Sequence, residues 1–155
     1  MSSPLNYALR LLKNRLKSAW EIDQALLRRE VEEADRQEVI RRLIELDLVN
    51  DLRFARAWVH TRDRLAPRGE YLLKMELIKR GISKDIIAEV LAERRTNVDD
   101  DEQEQLSEEQ LARNLLAGKE RAYARLDPET RKRRLTSLLM RRGFSYETAR
   151  RILNT

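Results

Sequence analysis

Apolar residues recur at helical spacing along almost the whole chain. Tyr7, Ala8, Leu11 and Leu12 share a face with Arg15, and Ile22, Leu26 and Leu27 follow, then Val39, Ile40, Leu43 and Ile44. A second series runs through Phe54, Ala55, Trp58 and Val59 with Arg62, then Leu73, Leu77 and Ile78, then Ile86, Ile87, Val90 and Leu91. A third comprises Leu111, Ala112 and Leu115 with Lys119, then Leu135, Leu139 and Met140, then Ala149, Ile152 and Leu153. No segment alternates with period two long enough to make a strand, so the pattern predicts an all-α fold.

The three series superimpose. Tyr7, Phe54 and Leu111 correspond, as do Ala8, Ala55 and Ala112, and the basic residues Arg15, Arg62 and Lys119. Leu26, Leu77 and Leu139 correspond too, each followed by one apolar and two basic residues. The chain therefore reads as three tandem three-helix repeats, 1–50, 51–95 and 107–155. Residues 96–106, acidic and without apolar periodicity before Leu106, read as a flexible connector.

Local chemistry punctuates the repeats. ELIKRGIS, residues 76–83, returns as LLMRRGFS, residues 138–145. Gly81 and Gly143 suit a left-handed helix ending, with Ile82 folding back on Leu77 and Phe144 on Leu139. Ser83 and Ser145 then cap the next helix, with Asp85 and Glu147 in its first turn. Ser18 with Glu21, and Asp35 with Glu38, have capping-box spacing. In the first repeat Glu30 replaces the glycine, and the cost of a positive φ there, about 1 kcal/mol, predicts a different turn with a longer link to Asp35.

Charge adds an imbalance. The chain has 155 residues, 38% of them charged, and a net charge of +5. Residues 96–110 hold seven acids and no Lys or Arg, which leaves +12 on the remainder. Such an excess suits a polyanion or an acidic partner surface. There is no cysteine, which excludes disulfides and thiolate chemistry, and no apolar stretch of signal-peptide or membrane-spanning length, so a cytoplasmic protein without membrane attachment is expected.

Three segments together resemble the RecX family of bacterial regulators of the RecA recombinase. They are Arg15-Leu-Lys-Ser18-Ala-Trp-Glu21-Ile22; Asp51-Leu-Arg-Phe54-Ala55-Arg56-Ala57-Trp58 with Arg62; and Glu76-Leu77-Ile78-Lys79-Arg80-Gly81-Ile82. Asp47 stands where the family commonly has glycine, Asn50 where a second acid is usual, and the first repeat lacks its turn glycine. The resemblance implies an elongated, curved array of helical repeats that binds RecA filaments on single-stranded DNA as a monomer. It also implies a non-enzymatic role, chiefly inhibitory, in recombination and the SOS response.

Chemistry for catalysis is thin. His60 is the single histidine, on a helix whose core residues surround it, and reads as an ordinary boundary residue. The cluster Asp99, Asp100, Asp101 and Glu102 lacks calcium-loop spacing, and no phosphate-binding glycine loop, nucleophile elbow or cofactor motif is present. Trp58 and Phe54 fall at core spacing, whereas Trp20 fits either packing between repeats or an exposed contact. Arg15, Arg62 and Lys119 read first as ion-pair or helix-end contacts.

The expected partner-binding residues surround the recurrent turns: Arg62, Arg68, Lys74, Lys79, Arg80, Arg141 and Arg142. The alternative is weak, phosphate-driven DNA binding through a helix-turn-helix outline, using Arg36, Arg41, Arg42, Arg131, Lys132, Arg150 and Arg151. Residues 84–94 argue against that role there, since Asp85, Glu89 and Glu93 oppose Lys84.

Overall fold

A computed structural model of the chain describes residues 3–96 and 107–154. The acidic connector at 97–106, including Asp99 to Glu102, therefore lies outside the described residues. Among those described, all regular structure is helical. The first repeat holds α1 (Pro4–Leu12), α2 (Ala19–Arg28) and α3 (Glu33–Glu45), and the second holds α4 (Asp51–Leu65), α5 (Glu70–Lys79) and α6 (Lys84–Thr96). The third holds α7 (Glu108–Ala117), a one-turn α8 (Glu120–Tyr123), α9 (Pro128–Arg141) and α10 (Tyr146–Leu153).

The chain divides into two compact units, residues 1–57 with 77–87, and residues 58–76 with 88–155. The second repeat's three helices each contribute to both. In the first unit, Ala8, Ile22, Leu26, Val39, Leu43 and Val49 form a core, with Leu5, Leu12 and Ile40 packed against it. In the second, Leu111, Ala112, Leu139, Phe144, Ala149 and Ile152 form another. These are the apolar stripes read from the sequence, buried because each helix has one face to remove from water.

Several helix ends follow their local code. Ser18 accepts from the Glu21 N–H while the Glu21 carboxylate accepts from the Ser18 N–H, completing the capping box on α2. Ser83 accepts from the Ile86 N–H at 3.3 Å and Ser145 from the Thr148 N–H at 3.1 Å. Gly81 and Gly143 take φ of 76° and 86°. The Ile82 N–H donates to the Leu77 carbonyl at 3.1 Å and the Phe144 N–H to that of Leu139 at 3.0 Å, the expected Schellman bonds.

Three expectations need correction. Glu30 does not avoid the left-handed region: its φ is 60°, and Val31 N–H donates to the Leu26 carbonyl at 3.2 Å, so the first repeat closes with the same motif. Asp47 does likewise, with φ of 56° and Leu48 N–H donating to the Leu43 carbonyl at 2.9 Å. Both side chains are exposed, so the cost is confined to the backbone. Second, α3 starts at Glu33 without a side-chain cap, and Asp35 lies in its first turn where the helix dipole favours it. Third, the first helix of the third repeat stops at Ala117, which puts Lys119 beyond it at the start of α8; Arg15 similarly follows the end of α1.

Candidate partner-binding surface

The two glycine turns are built into joints between middle helices. In the first unit the turn after α5 meets the start of α2: the fully buried Ser18 donates its hydroxyl to the Arg80 carbonyl at 2.7 Å. A methyl group on Gly81 would lie 2.2 Å from Cβ of Trp20. Asp51 also accepts from the Ala19 N–H at 2.9 Å. In the second unit the turn after α9 meets the start of α5 at equivalent positions: Gly69 N–H donates to the Arg142 carbonyl at 2.7 Å. A methyl group on Gly143 would lie 2.5 Å from Cβ of Leu72.

Glycine is thus needed twice over at 81 and 143, for positive φ and for close approach. Replacing Ser18 with alanine removes a cap and leaves the Arg80 carbonyl without its partner. A loss of about 2 kcal/mol is expected in urea denaturation, and an unchanged midpoint would show that the joint carries no stability.

Charged side chains brace these joints. Glu21 binds Arg15 at 2.5 Å and lies 3.4 Å from Arg80. Burial pushes the Glu21 carboxyl up, but the Arg15 hydrogen bond, the Ser18 N–H and Arg80 outweigh it, and its pKa falls below the ordinary glutamate value. A carboxylate with a lowered folded-state pKa adds stability above its unfolded value and loses it as pH falls through the folded one. Glu21→Gln preserves the capping geometry and removes the charge. It is expected to lose less stability than the parent chain between about pH 6 and pH 3, measured by denaturant midpoints, and parallel losses would exclude the Glu21 ion pairs as the source.

In the second unit Glu76 receives Arg62 at 3.1 Å and Arg68 at 3.3 Å. Arg62 also lies 4.8 Å from the ring of the half-buried Trp58. Arg94, only 8% exposed, grips Asp63 through two nitrogens and donates to the Arg68 carbonyl at 2.8 Å, fixing the loop between α4 and α5. Burial pushes the Asp63 carboxyl up in spite of Arg94. Arg95 pairs with Glu70. Neither Arg94 nor Gly69 stood out in the sequence, because the partners of Arg94 lie 26 and 31 residues away and that of Gly69 lies 73 away.

The expected partner-binding residues consequently separate into two groups. Arg62, Arg68 and Arg80 are engaged in ion pairs, while Lys74, Lys79, Arg141 and Arg142 form none among the described residues. Lys74, Lys79 and Arg141 are exposed, and Arg142 is half-buried with its carbonyl in the joint.

Most of the DNA-binding set is also occupied. Arg36 binds Asp23, Arg41 binds Glu38 and Glu45, and Arg151 binds Glu109 and Glu147. Arg131 donates to the carbonyls of Tyr123, Ala124 and Leu126, and Lys132 to Asn154. Arg42 and Arg150 are exposed without ion pairs among the described residues.

A feature at the ends of the middle helices recurs in every repeat. The apolar residue after the buried Leu26, Leu77 or Leu139 does not join the core: Leu27, Ile78 and Met140 are 46%, 42% and 51% exposed. Each is followed by an exposed cation, Arg28, Lys79 or Arg141. One residue further round a helix is about 100°, enough to turn the side chain from core to solvent. Among the described residues no group of acids and His60 could hold a metal ion, and no helix is long and apolar enough to cross a membrane.

Comparisons with known proteins find three three-helix domains. Models of the first, second and third three-helix domains of RecX match residues 5–43, 50–91 and 107–153. The regulatory protein RecX of Streptomyces coelicolor is 35% identical over 145 residues, covering 94% of this chain and 72% of that protein. That of Mycobacterium sp. (strain JLS) is 32% identical over 143 residues, covering 92% and 75%. A crystal structure of RecX from Lactobacillus salivarius superimposes with a TM-score of 0.81 at 24% identity, covering 97% of this chain and 92% of the other. A crystal structure of a regulatory protein RecX gives 0.83 at 19% identity, covering 98% and 72%. At those identities the two structures speak for the fold.

Proposed function

This chain belongs to the RecX family of regulatory proteins, and from that premise we propose that it binds RecA filaments on single-stranded DNA and inhibits their assembly and ATPase. It does so as a cytoplasmic monomer without catalysis, and thereby restrains recombination and the SOS response. The observation that carries the reading is the recurrence, in all three repeats, of an exposed apolar side chain followed by an exposed cation at the end of the middle helix. A repeated contact on one chain suits a partner whose own subunits repeat, and an apolar side chain beside a cation suits protein better than phosphate alone.

Direct DNA binding is the weaker reading, because Arg36, Arg41, Arg131 and Arg151 already have intramolecular partners. The test is the DNA-dependent ATPase of RecA preassembled on single-stranded DNA, with this protein titrated in and protein-free DNA binding measured beside it. A dose-dependent fall at concentrations where bare DNA stays unbound is the expected result. No change, together with salt-sensitive binding to DNA alone, would replace it with the DNA-binding reading.

A further inference from the structure

The third repeat contains a groove that the proposed filament contact does not use. It opens among α7, α8, α9 and α10, with a volume of about 560 Å³, within the usual range of ligand sites. Its floor is aliphatic: Leu116, Leu135 and Leu153 are half-buried there beside Ile152, which also belongs to the core beneath. Leu116 and Leu153 pack against that core on one side and, with Leu135, line the opening with apolar surface on the other.

The rim is cationic. Arg113 is exposed, Lys119 is half-buried, and neither forms an ion pair among the described residues. Among the described residues Glu120 is the one acid lining the groove. The imbalance extends beyond the rim, since residues 113–134 carry eight Lys or Arg against three acids. The position of Lys119 depends on the break after Ala117: α7 stops, the chain turns at Gly118, and Lys119 stands at the N-cap of α8 at the mouth instead of continuing the α7 face.

We propose that this groove binds a short acidic amphipathic segment of a partner protein, its apolar side chains on the leucine floor and its carboxylates on Arg113 and Lys119. Floor and rim together select that class. A nucleic-acid backbone would meet the cations but leave the aliphatic floor uncovered, while a purely apolar ligand would desolvate both cations without compensation. An acidic amphipathic peptide satisfies both in one contact. Long-range attraction between the basic repeat and an acidic segment also favours encounter at low salt.

The test is selection of phage-displayed random 12-residue peptides on the intact chain, counter-selected on Leu135→Arg, which places a charge on the floor. Selected sequences are then synthesised with a fluorophore and titrated by anisotropy. The expected consensus combines two or more Asp or Glu with two apolar residues. Its affinity should fall at least about tenfold in Arg113→Glu/Lys119→Glu, and also on raising salt from about 50 to about 300 mM.

Because Leu135→Arg can unfold the third repeat, the double rim variant is the deciding one. Both of its sites lie outside the core, and its helicity and melting are checked by circular dichroism. No enriched sequence, a neutral or basic consensus, or unchanged affinity in the folded double variant would overturn the proposal. Binding that emerges only after Asp99, Asp100, Asp101 and Glu102 are made amides would overturn it in favour of the chain's own acidic segment as occupant. Peptide-dependent dimerisation would overturn it in favour of a second copy.

Discussion

Gly69→Ala is expected to cost about 3 kcal/mol, as overpacking plus a lost hydrogen bond, although the substitution adds only one methyl group. That methyl would lie 1.9 Å from the Gly143 carbonyl oxygen, 2.1 Å from its carbon and 2.3 Å from the Phe144 nitrogen. All three are backbone atoms of a turn fixed by its own Schellman bonds, so no side chain can swing aside. Separation also breaks the 2.7 Å bond from Gly69 N–H to the Arg142 carbonyl.

Gly118→Ala is the natural comparison. There the nearest atom to an added methyl is the Leu115 carbonyl oxygen at 3.6 Å, an ordinary contact, and φ is −68°. It should be neutral or stabilise by a few tenths of a kcal/mol up to about 1, by restricting the unfolded chain. Chemical denaturation of the two variants beside the parent chain decides the matter: equal midpoints would mean that the joint relaxes at little cost and does not hold the second unit together.

Reversing Lys79 and Arg141 together to Glu is expected to weaken binding to RecA filaments by about 30- to 100-fold, equivalent to roughly 2–3 kcal/mol, with unchanged thermal stability. Both side chains are exposed and have no ion pair among the described residues, so the folded chain loses no counter-charge when they change sign. Arg80 is a poor choice for this purpose. It lies 3.4 Å from Glu21 and its carbonyl receives Ser18, so reversal there would place two carboxylates together at a structural joint.

Sedimentation with filaments on single-stranded DNA, at fixed salt, gives the affinity, and circular dichroism gives the melt. A folded double variant that binds as the parent does would remove these cations from the interface. Ile78→Asp and Met140→Asp extend the test to the neighbouring apolar positions, where loss of binding would show that the contact is more than electrostatic.

The repeats were legible because helical periodicity, capping serines and turn glycines are local. The spacing of Leu26, Leu77 and Leu139 gave the phase of the middle helices, and the structure buries all three fully. The apolar residue that follows each of them is not buried with it. Leu27, Ile78 and Met140 lie on the same helices, but how wide a face is covered depends on what packs against it.

Residue type alone likewise predicts that Glu30 avoids φ > 0, yet it adopts 60°. The helix accepts that cost because the turn still makes both backbone bonds and the side chain stays in water.

Family membership, the all-α class and the order of the three repeats are properties of sequence alone, because they rest on periodic burial and on hydrogen bonds spanning a few residues. Tertiary structure decided which cations are held in ion pairs among the described residues. Arg62, Arg68 and Arg80 look equivalent to Lys79 and Arg141 in the sequence, yet the first three are held by Glu76 or Glu21. It also decided why the same turn is made twice. Gly81 and Gly143 each let a middle-helix ending meet the start of an earlier middle helix at contact distance. That requirement joins residues about sixty to seventy positions apart, beyond the reach of local pattern, and close packing is the physical reason that only a residue without a side chain meets it.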